Sequence, residues 1–425
     1  GRELFFALPG EVTDGHCFVD SALKNDAAAA VIHQPTTFPV DAAVVEVDNT
    51  LDALHNLTRA IRLTTPQNLI AITGSVGKST TKELLTAMLG RRFRVAASPG
   101  NLNNLYGFPL ALMSIDQDTE WMVAEMGMSS PGELGEVSRL GRPDVALFGN
   151  VREVHLEFFG SLRAIADAKA ELLLGLNPEG LIVANADDVE IRRFLRSRRE
   201  QVIWYGIEQP AEYTATEIQA LPNARCGYRM RLHHGSESSA TIDLPLYGRY
   251  NVSNCLAAAT CAHTLGVSFE EIGRGIEAVR ELPGRGVVHK LVGGATLIDD
   301  TYNSSPSALA AALESAAALS APRCWVVLGD MLELGERAQS LHYEAGRLAT
   351  ELGFSPFAGV GELAQESVQA CIDRGLEAVW FATAADAAAA VPEWVQPGDV
   401  VLIKGSRGVG LEVVARAILK SGGQV

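Results

Sequence analysis

The sequence predicts an α/β protein of three domains, and three observations support this prediction. At 425 residues, the chain is long enough for two to four domains, each with a core of its own. Apolar runs typical of buried strands alternate with helical patterns along most of the chain. Two features also divide it, a glycine-rich loop after a strand near residue 67 and a break in the pattern at 282–286. We therefore expect domains at 1–66, 67–282 and 283–425.

Composition excludes several classes of protein. Apolar residues make up 47% of the chain and charged residues 20%, which is typical of a globular protein. A net charge of -16 argues against a nucleic-acid partner, since no Lys/Arg run offers the basic surface that phosphate backbones require. No segment approaches the roughly 20 apolar residues of a membrane span, and no signal peptide is recognisable.

The six cysteines are widely spaced and form no C-x-x-C pair, so neither a zinc site nor a disulfide framework is indicated. This usage is typical of the reducing cytoplasm, where we expect the protein to reside. The chain begins at Gly1 without an initiator Met and enters a strand-like run directly, so we expect that an upstream segment was removed.

The first 66 residues predict a small α/β domain. We expect a strand at 4–8, a helix at 19–29, a strand at 42–47 and a second helix with capping candidates at 48–50 and a stop at Pro66. These residues alone leave open whether the domain is a scaffold or a binding domain.

The second domain begins with strand Leu69–Thr73, a glycine loop and a helix. Such a loop directs backbone N–H groups and the positive end of a helix dipole towards one point, which suits a phosphate. Lys78 would meet the β and γ phosphates, and Ser79 would bind Mg²⁺. Position 72 is Ile, so this is the shorter G-x-x-G-K-S form; the alternative is a glycine turn without a ligand. The predicted nucleotide-binding loop comprises Gly74, Ser75, Val76, Gly77, Lys78, Ser79 and Thr80.

Two further segments of this domain carry candidate ligands. Asn101, Asn103 and Asn104 suit recognition of a polar substrate, although asparagine-rich turns are common. Glu125 follows the buried strand 121–124, and a carboxylate there is expected to organise Mg²⁺. The alternative for Glu125 is a solvated strand end.

His155 and Lys169 are more ambiguous. His155 follows strand Val145–Phe148 and would lie at the ligand-binding edge of a parallel sheet, although a lone histidine is more often structural. Lys169 lies in an apolar helix at 162–174, where spacing alone favours a side chain that extends to the surface.

The pattern at 201–247 changes to short alternating segments, which predicts an antiparallel insertion. Asn251 and Asn254 follow, one turn apart near the start of an alanine-rich helix. Either could bind a ligand or cap the helix.

In the third domain, three strands end in polar clusters. The predicted strands are 296–298, 325–328 and 400–403. In a doubly wound, Rossmann-like sheet these ends share one edge, which favours a common binding face. The candidate residues are Asp300, Tyr302, Asn303, Lys404 and Arg407.

Taken together, these motifs resemble the Mur ligase family of ATP-dependent enzymes that form peptide bonds. The resemblance rests on T-G-S-V-G-K-S-T, E-M-G, H-L-E-F-F-G-S, A-K-A-E and G-R-Y-N-V-S-N, which occur in this order. Within the family, G-N-L-N-N, D-D-T-Y-N, L-G-D-M-L-E-L-G and K-G-S-R resemble the member that adds D-alanyl-D-alanine to UDP-N-acetylmuramoyl-tripeptide. The implied activity is a step of peptidoglycan precursor synthesis through an acyl phosphate.

The resemblance also implies roles for the domains and residues. The first domain would hold the uridine nucleotide, the central P-loop domain ATP, and the third domain the amine. Ser79 and Glu125 would hold one Mg²⁺, and His155 with a carbamylated Lys169 would hold a second. Four residues match family positions around ATP, namely Asn251, Asn254, Arg285 and Asp300. Tyr302, Asn303, Lys404 and Arg407 would meet the dipeptide. We expect a monomer, and the part of the uridine site that family members carry further upstream precedes Gly1.

Other functions remain open at this stage. The enzyme that adds the diamino acid carries D-N-P-R in its last domain, and this chain has no such motif there. Folate polyglutamate ligases share the ATP machinery but are not expected to carry this front domain. A P-loop ATPase or nucleotide-binding regulator is the alternative from another class.

Overall fold

The computed structural model describes residues 3–10, 13–39, 41–221, 226–236, 238–279, 281–319 and 321–423. Within them the chain forms sheets of three, nine and six strands. One sheet lies in each predicted domain, so the prediction of a three-domain α/β protein is confirmed.

The first domain has a parallel sheet in the order β1-β2-β3. Its elements are β1 Leu4–Phe6, α1 Val19–Lys24, β2 Ala29–Ile32, β3 Val44–Glu46 and α2 Thr50–Thr64. The Asn49 side chain caps α2 by accepting hydrogen bonds from the backbone N–H groups of Leu51 and Asp52, as expected from the sequence.

The predicted helix at 19–29 is wrong in its second half. The helix ends at Lys24, and Asp26 adopts a left-handed conformation with φ of 68°. The alanines that follow begin β2, where Ala30 and Ile32 enter the core of this domain. Alanine fits either element, so burial in the core decides the conformation here.

The central domain is built on a sheet in the order β12-β11-β10-β9-β8-β7-β4-β6-β5. Its strands are β4 Asn68–Thr73, β5 Val95–Ala97, β6 Trp121–Glu125, β7 Val145–Phe148, β8 Leu181–Asn185, β9 Val202–Gly206, β10 Tyr213–Ala220, β11 Tyr228–His234 and β12 Ser238–Leu244. Its helices are α3 Lys78–Leu89, α4 Gly107–Met113, α5 Glu133–Gly141, α6 Leu156–Phe159, α7 Leu162–Ala170, α8 Val189–Phe194, α9 Tyr250–Thr264 and α10 Phe269–Glu277.

The antiparallel insertion predicted at 201–247 is only partly correct. β9 pairs in parallel with β8, and β10 pairs in parallel with β9. Antiparallel pairing begins between β10 and β11 and continues to β12. These strands extend the main sheet because their apolar sides, including Met230, Leu232 and Ile242, join the core beneath α9 and α10.

The third domain has the sheet order β13-β14-β18-β15-β16-β17, which is parallel except at β13. Its strands are β13 Val287–Lys290, β14 Thr296–Asp300, β15 Cys324–Gly329, β16 Phe357–Val360, β17 Ala378–Phe381 and β18 Val400–Lys404. Its helices are α11 Pro306–Ala317, α12 Ala338–Glu351, α13 Ala364–Ile372, α14 Ala384–Ala390 and α15 Glu412–Gly422. β14, β18 and β15 are direct neighbours, so their polar ends share one edge, as expected.

The sheet topology determines where a ligand can bind. In the central sheet, β4 lies between β6 and β7, so the chain leaves β4 on one side and returns on the other. Open α/β sheets bind ligands in the crevice at such a switch point. The glycine loop follows β4 there, and residues 149–155 follow β7 beside it.

Two other expectations can be compared with the structure. All six cysteines are free thiols. Among the described residues, no helix combines the length and apolar character that crossing a bilayer requires.

Candidate active site

Asn150, just after β7, holds the glycine loop, residues 74–80, in place through its side chain and its backbone. The Asn150 side chain clamps Val76: its Oδ1 accepts from the Val76 N–H at 3.0 Å, and its Nδ2 donates to the Val76 carbonyl at 2.9 Å. The Ser75 N–H also donates to the Asn150 carbonyl at 2.9 Å. A loop with few apolar contacts is thereby fixed against the end of β7.

The start of α9 packs against the other side of this loop. Gly77 has φ of +83°, and a Cβ added there would lie 2.3 Å from the Asn254 Oδ1. Asn254 Nδ2 donates to Asn251 Oδ1 at 2.8 Å, and Asn251 Nδ2 donates to the Tyr247 carbonyl at 2.7 Å. Neither asparagine caps α9, whose N-cap is Arg249, so the capping alternative is wrong.

Lys78 is the first residue of α3, and its ammonium folds back over the loop. Its Nζ donates to the Gly74 carbonyl at 2.8 Å. Desolvation lowers the pKa of Lys78, although the charge of Glu125 opposes this and that of Arg285 adds to it. The loop therefore concentrates positive charge and backbone N–H groups, as an anion site requires.

Glu125 ends β6 and is 3% exposed. Its Oε1 has no hydrogen-bond partner within the described chain and lies 3.3 Å from the Lys82 Nζ. Lys82 itself donates to the Ser98 carbonyl at 2.7 Å. Thr73 Oγ1 is also buried without a partner. Unsatisfied buried oxygens beside the loop suit a hard cation such as Mg²⁺, and the solvated strand end considered for Glu125 is wrong.

His155 lies between β7 and α6, with a left-handed backbone at φ 54° and ψ 31°. Its Nδ1 is 2.5 Å from Oε2 of Glu333, which belongs to the third domain; this is an ion-pair distance, and the two groups are not aligned as a hydrogen bond. Desolvation lowers the pKa of His155; Glu333 opposes this effect and Lys78 adds to it. The neutral imidazole, which is the form that binds a metal, is therefore favoured.

Lys169 is buried on α7 with 4% exposure, so the surface position that spacing favoured is wrong. Within the described chain, its ammonium has no hydrogen-bond or ion-pair partner. Burial lowers its pKa well below the usual value; the nearby charge of Lys78 adds to this, and that of Asp188 opposes it. Burial without a partner therefore favours the neutral, nucleophilic form of this amine.

The third domain supplies the opposite wall. Lys404 Nζ lies 2.6 Å from Asp300 Oδ2 and donates to the Asn303 carbonyl at 3.0 Å. Burial raises the pKa of Asp300, and Lys404 opposes this rise. The guanidinium groups of Arg285 and Arg407 lie 4.0 Å and 5.3 Å from the Tyr302 ring centroid. The wall therefore presents two arginines around one aromatic ring, next to a lysine that is paired with the Asp300 carboxylate.

A cleft of about 730 Å³ joins these walls. The predicted residues that line it are Ser75, Val76, Gly77, Lys78, Ser79, Thr80, Asn101, Asn103, Glu125, His155, Asn251, Asn254, Arg285, Asp300, Tyr302, Asn303, Lys404 and Arg407. Three predicted residues are not in its lining, namely Gly74, Asn104 and Lys169.

Two of these three have a structural role beside the cleft. Asn104 Oδ1 accepts from the N–H groups of Tyr106 and Gly107, so it fixes the turn into α4. A Cβ at Gly74 would lie 3.3 Å from the Asn150 backbone nitrogen, so this glycine allows close packing of the loop on β7. Among the described residues, no group of three or more His, Cys, Asp or Glu forms a metal site. The predicted ligand set contains only two such residues.

Comparison with known protein families matches all three domains. Residues 1–62 match the Mur ligase family catalytic domain, 72–262 the Mur ligase middle domain, and 284–407 the Mur ligase glutamate ligase domain. The UDP-N-acetylmuramoyl-tripeptide–D-alanyl-D-alanine ligase of Bacillus subtilis is 32% identical over 99% of this chain and 91% of its own length. The chain belongs to the Mur ligase family.

Other relatives and solved structures agree with this assignment. The ligase of the same name from Escherichia coli is 31% identical over 99% of this chain and 91% of its own length. A crystal structure of MurF from Acinetobacter baumannii has a TM-score of 0.89 at 30% identity, covering 99% of this chain and 91% of that one. MurF ligase from Thermotoga maritima, solved with ADP, has a TM-score of 0.83 at 27% identity, covering 99% and 95%.

Several residues of this Mur ligase site were missed by the sequence analysis. Asn150, Lys82 and Glu333 each contact a predicted residue, and of the three only Glu333 lies in a quoted motif, L-G-D-M-L-E-L-G, where it was not singled out. Asn150 follows a strand end as the predicted ligands do, so its position was a usable signal. Nothing local to Glu333 indicates that it reaches His155, because that contact crosses between domains.

We predict that Gly77→Ala weakens nucleotide binding by this Mur ligase at least tenfold. The added Cβ would meet Asn254 Oδ1 at 2.3 Å, so either the Asn254 side chain, which is bonded to Asn251, or the loop must move. Gly132→Ala is the matched control, because Gly132 also has positive φ, at +89°, but no atom within 4 Å of the added Cβ. Each substitution carries the left-handed cost of about 1 kcal/mol, and only the first adds the clash. Calorimetric titration with ADP measures both, and equal affinities would contradict the prediction.

Proposed function

We propose that this protein is an ATP-dependent amide ligase that adds D-alanyl-D-alanine to UDP-N-acetylmuramoyl-tripeptide in peptidoglycan precursor synthesis. Relatives with this activity in their names are 31–32% identical to the chain and match it over almost its whole length. The observation that carries the proposal is a single cleft in which the phosphate loop of the central domain faces polar strand ends of the third.

The chemistry explains why two walls are needed. A carboxylate is a poor electrophile, so amide formation requires an activated acyl group. An oxygen of the tripeptide carboxylate attacks the γ-phosphorus of ATP, ADP leaves, and an acyl phosphate forms. The amine of D-alanyl-D-alanine then attacks the acyl carbon, loses a proton, and phosphate leaves. Catalysis of such steps depends mainly on positioning and charge neutralisation, so nucleotide and amine must meet in one place.

Lys78 has the central role in this proposal. Its ammonium, anchored on the Gly74 carbonyl, would neutralise the β and γ phosphates as charge moves between them. Four more residues, Asn251, Asn254, Arg285 and Asp300, are proposed to surround the nucleotide.

The donor set fits Mg²⁺. Glu125 offers a buried oxygen without a hydrogen bond, and Ser79 offers a hydroxyl beside Lys78 on α3. We assign these two residues to one ion, and His155 with Lys169 as its carbamate to a second. Bound Mg²⁺ supplies positive charge to the transferring phosphoryl and acyl oxygens.

The state of Lys169 supports its carbamylation. A neutral amine attacks CO₂ and loses one proton, so the lysine becomes a carbamate whose single negative charge is shared by two oxygens. That reaction requires an unprotonated amine, and the lowered pKa of the buried Lys169 side chain favours this form. It also converts a residue whose protonated form repels Lys78 into an anion that attracts a cation.

The remaining residues are assigned to the substrates. Arg407, together with Tyr302, Asn303 and Lys404, would meet D-alanyl-D-alanine, because a cation suits its terminal carboxylate. Since Asp300 already neutralises Lys404, we assign the carboxylate chiefly to Arg407. Asn101 and Asn103 would contact the muramoyl peptide, and the first domain its uridine nucleotide. A cytoplasmic monomer remains our prediction.

We predict that the purified protein releases ADP when UDP-N-acetylmuramoyl-tripeptide, ATP and D-alanyl-D-alanine are all present. Omission of the dipeptide should reduce the rate at least tenfold, because the acyl phosphate then has no amine to react with. A coupled ADP assay measures this, with the diamino acid and glutamate offered as alternative amines. Equal or faster ADP release with either alternative would contradict the assigned substrate.

We predict that Lys169→Ala lowers activity a hundredfold or more, which is the size expected when a metal loses an anionic ligand. Added acetate or propionate should restore part of the rate, since a short carboxylic acid can occupy the space and present two oxygens. Lys78→Ala is the control, because its loss of activity should not respond to these acids. Full activity of Lys169→Ala without any additive would contradict the carbamate assignment.

A further inference from the structure

One contact in the site crosses between domains. His155 Nδ1 in the central domain lies 2.5 Å from Glu333 Oε2 in the third. The backbone reinforces this contact, since the Glu157 N–H donates to the Glu333 carbonyl at 3.3 Å. A second ion pair lies nearby, between Arg337 Nη1 and Glu153 Oε1 at 2.8 Å. The segment 333–337 therefore forms a bridge to the segment 153–157.

The backbone at both ends of this contact is unusual. His155 has φ of 54° and Glu333 has φ of 63°, and they are two of the five non-glycine residues with positive φ in the described chain. Such conformations are sparsely populated and occur preferentially at functional sites. Because two residues of this kind contact each other, we infer that their contact has a functional role.

The carboxylate of Glu333 influences which ring nitrogen of His155 carries the proton. A carboxylate next to Nδ1 favours the tautomer with the proton on Nδ1, which leaves the lone pair of Nε2 free. We therefore place the ring proton on Nδ1, because the Glu333 carboxylate lies next to that nitrogen. Histidines that bind metals usually donate their second ring nitrogen to a carboxylate or carbonyl, which fixes both tautomer and ring orientation.

We propose that Glu333 is a positioning residue that orients His155 and holds its Nδ1–H tautomer, so that the metal ligand is complete only when the third domain contacts the central domain. This inference rests on the proposed function. It gives the third domain a second role beyond presenting the amine, because its contact completes the phosphoryl-transfer site. ATP would then react slowly while the domains are apart, which protects it from wasteful hydrolysis.

The neighbouring segment offers matched controls. Arg337→Ala breaks the other pair between the domains without touching His155. Glu336→Ala removes an exposed carboxylate three residues from Glu333 that has no contact with His155. A role limited to holding the domains together would make Glu333→Ala and Arg337→Ala behave alike.

The first measurement needs no turnover. The ring ¹⁵N shifts of His155, assigned with His155→Gln, report its tautomer at a fixed pH. We expect the Nδ1–H form in wild type, Arg337→Ala and Glu336→Ala, and a mixed or Nε2–H form in Glu333→Ala. Glu333→Gln should retain part of the Nδ1–H form, because its amide oxygen can still accept. If Glu333→Ala does not fold by circular dichroism, Glu333→Gln carries the test.

The second measurement is Mn²⁺ binding with ADP present, followed by electron paramagnetic resonance, together with kcat and KM for ATP. We expect Glu333→Ala to weaken one Mn²⁺ site at least tenfold and lower kcat by a similar factor, with KM for ATP little changed. Glu333→Gln should be intermediate. An unchanged tautomer and unchanged Mn²⁺ binding in Glu333→Ala would overturn the inference even if wild type forms the amide. The tautomer result stands even if the wild type accepts another amine.

Discussion

The position of the phosphate loop is the constraint on which the rest of the site depends. Most residues of the loop are small, and 75–80 are partly exposed, so few side chains of its own pack to hold it. Two asparagines from other segments hold it instead: Asn150 clamps Val76 with a pair of hydrogen bonds, and Asn254 lies against Gly77. Gly77 must lack a side chain for this packing to exist. With the loop fixed, α3 begins at Lys78, and the ammonium of that residue reaches back over it.

The cleft is rich in cationic side chains. The chain carries a net charge of -16, yet its cleft collects Lys78, Arg285 and Arg407 on facing walls. Lys404 also lines the cleft and is paired with Asp300, whereas Lys82, outside the lining, is paired with Glu125. Lys169 has no carboxylate partner within the described chain, and burial together with the charge of Lys78 lowers the pKa of its amine. An anionic nucleotide and an anionic carbamate would each reduce this excess of positive charge.

Much of this site could be predicted from the sequence because its ligands follow strands that are recognisable by their apolar runs. Glu125, His155 and Asp300 were found in this way, and parallel topology placed them at common edges. Contacts between segments were not predictable. Asn104 was predicted to meet substrate, and in the structure its side chain fixes a local turn. Lys169 was first assigned to the surface because its spacing on the helix does not show which segments pack against it. The strand at Ala29–Ile32 was missed because alanine favours no element strongly, and packing decided the outcome.

The central step of the proposed mechanism is the formation of an acyl phosphate in the cleft between the phosphate loop and the third domain. Its atom balance provides a direct test. UDP-N-acetylmuramoyl-tripeptide labelled with ¹⁸O in its terminal carboxylate is incubated with the enzyme, ATP and D-alanyl-D-alanine, and the released phosphate is analysed by mass spectrometry. Because the attacking carboxylate oxygen leaves with the phosphoryl group, the account predicts one ¹⁸O atom in each phosphate formed. Unlabelled phosphate accompanying amide formation would contradict it.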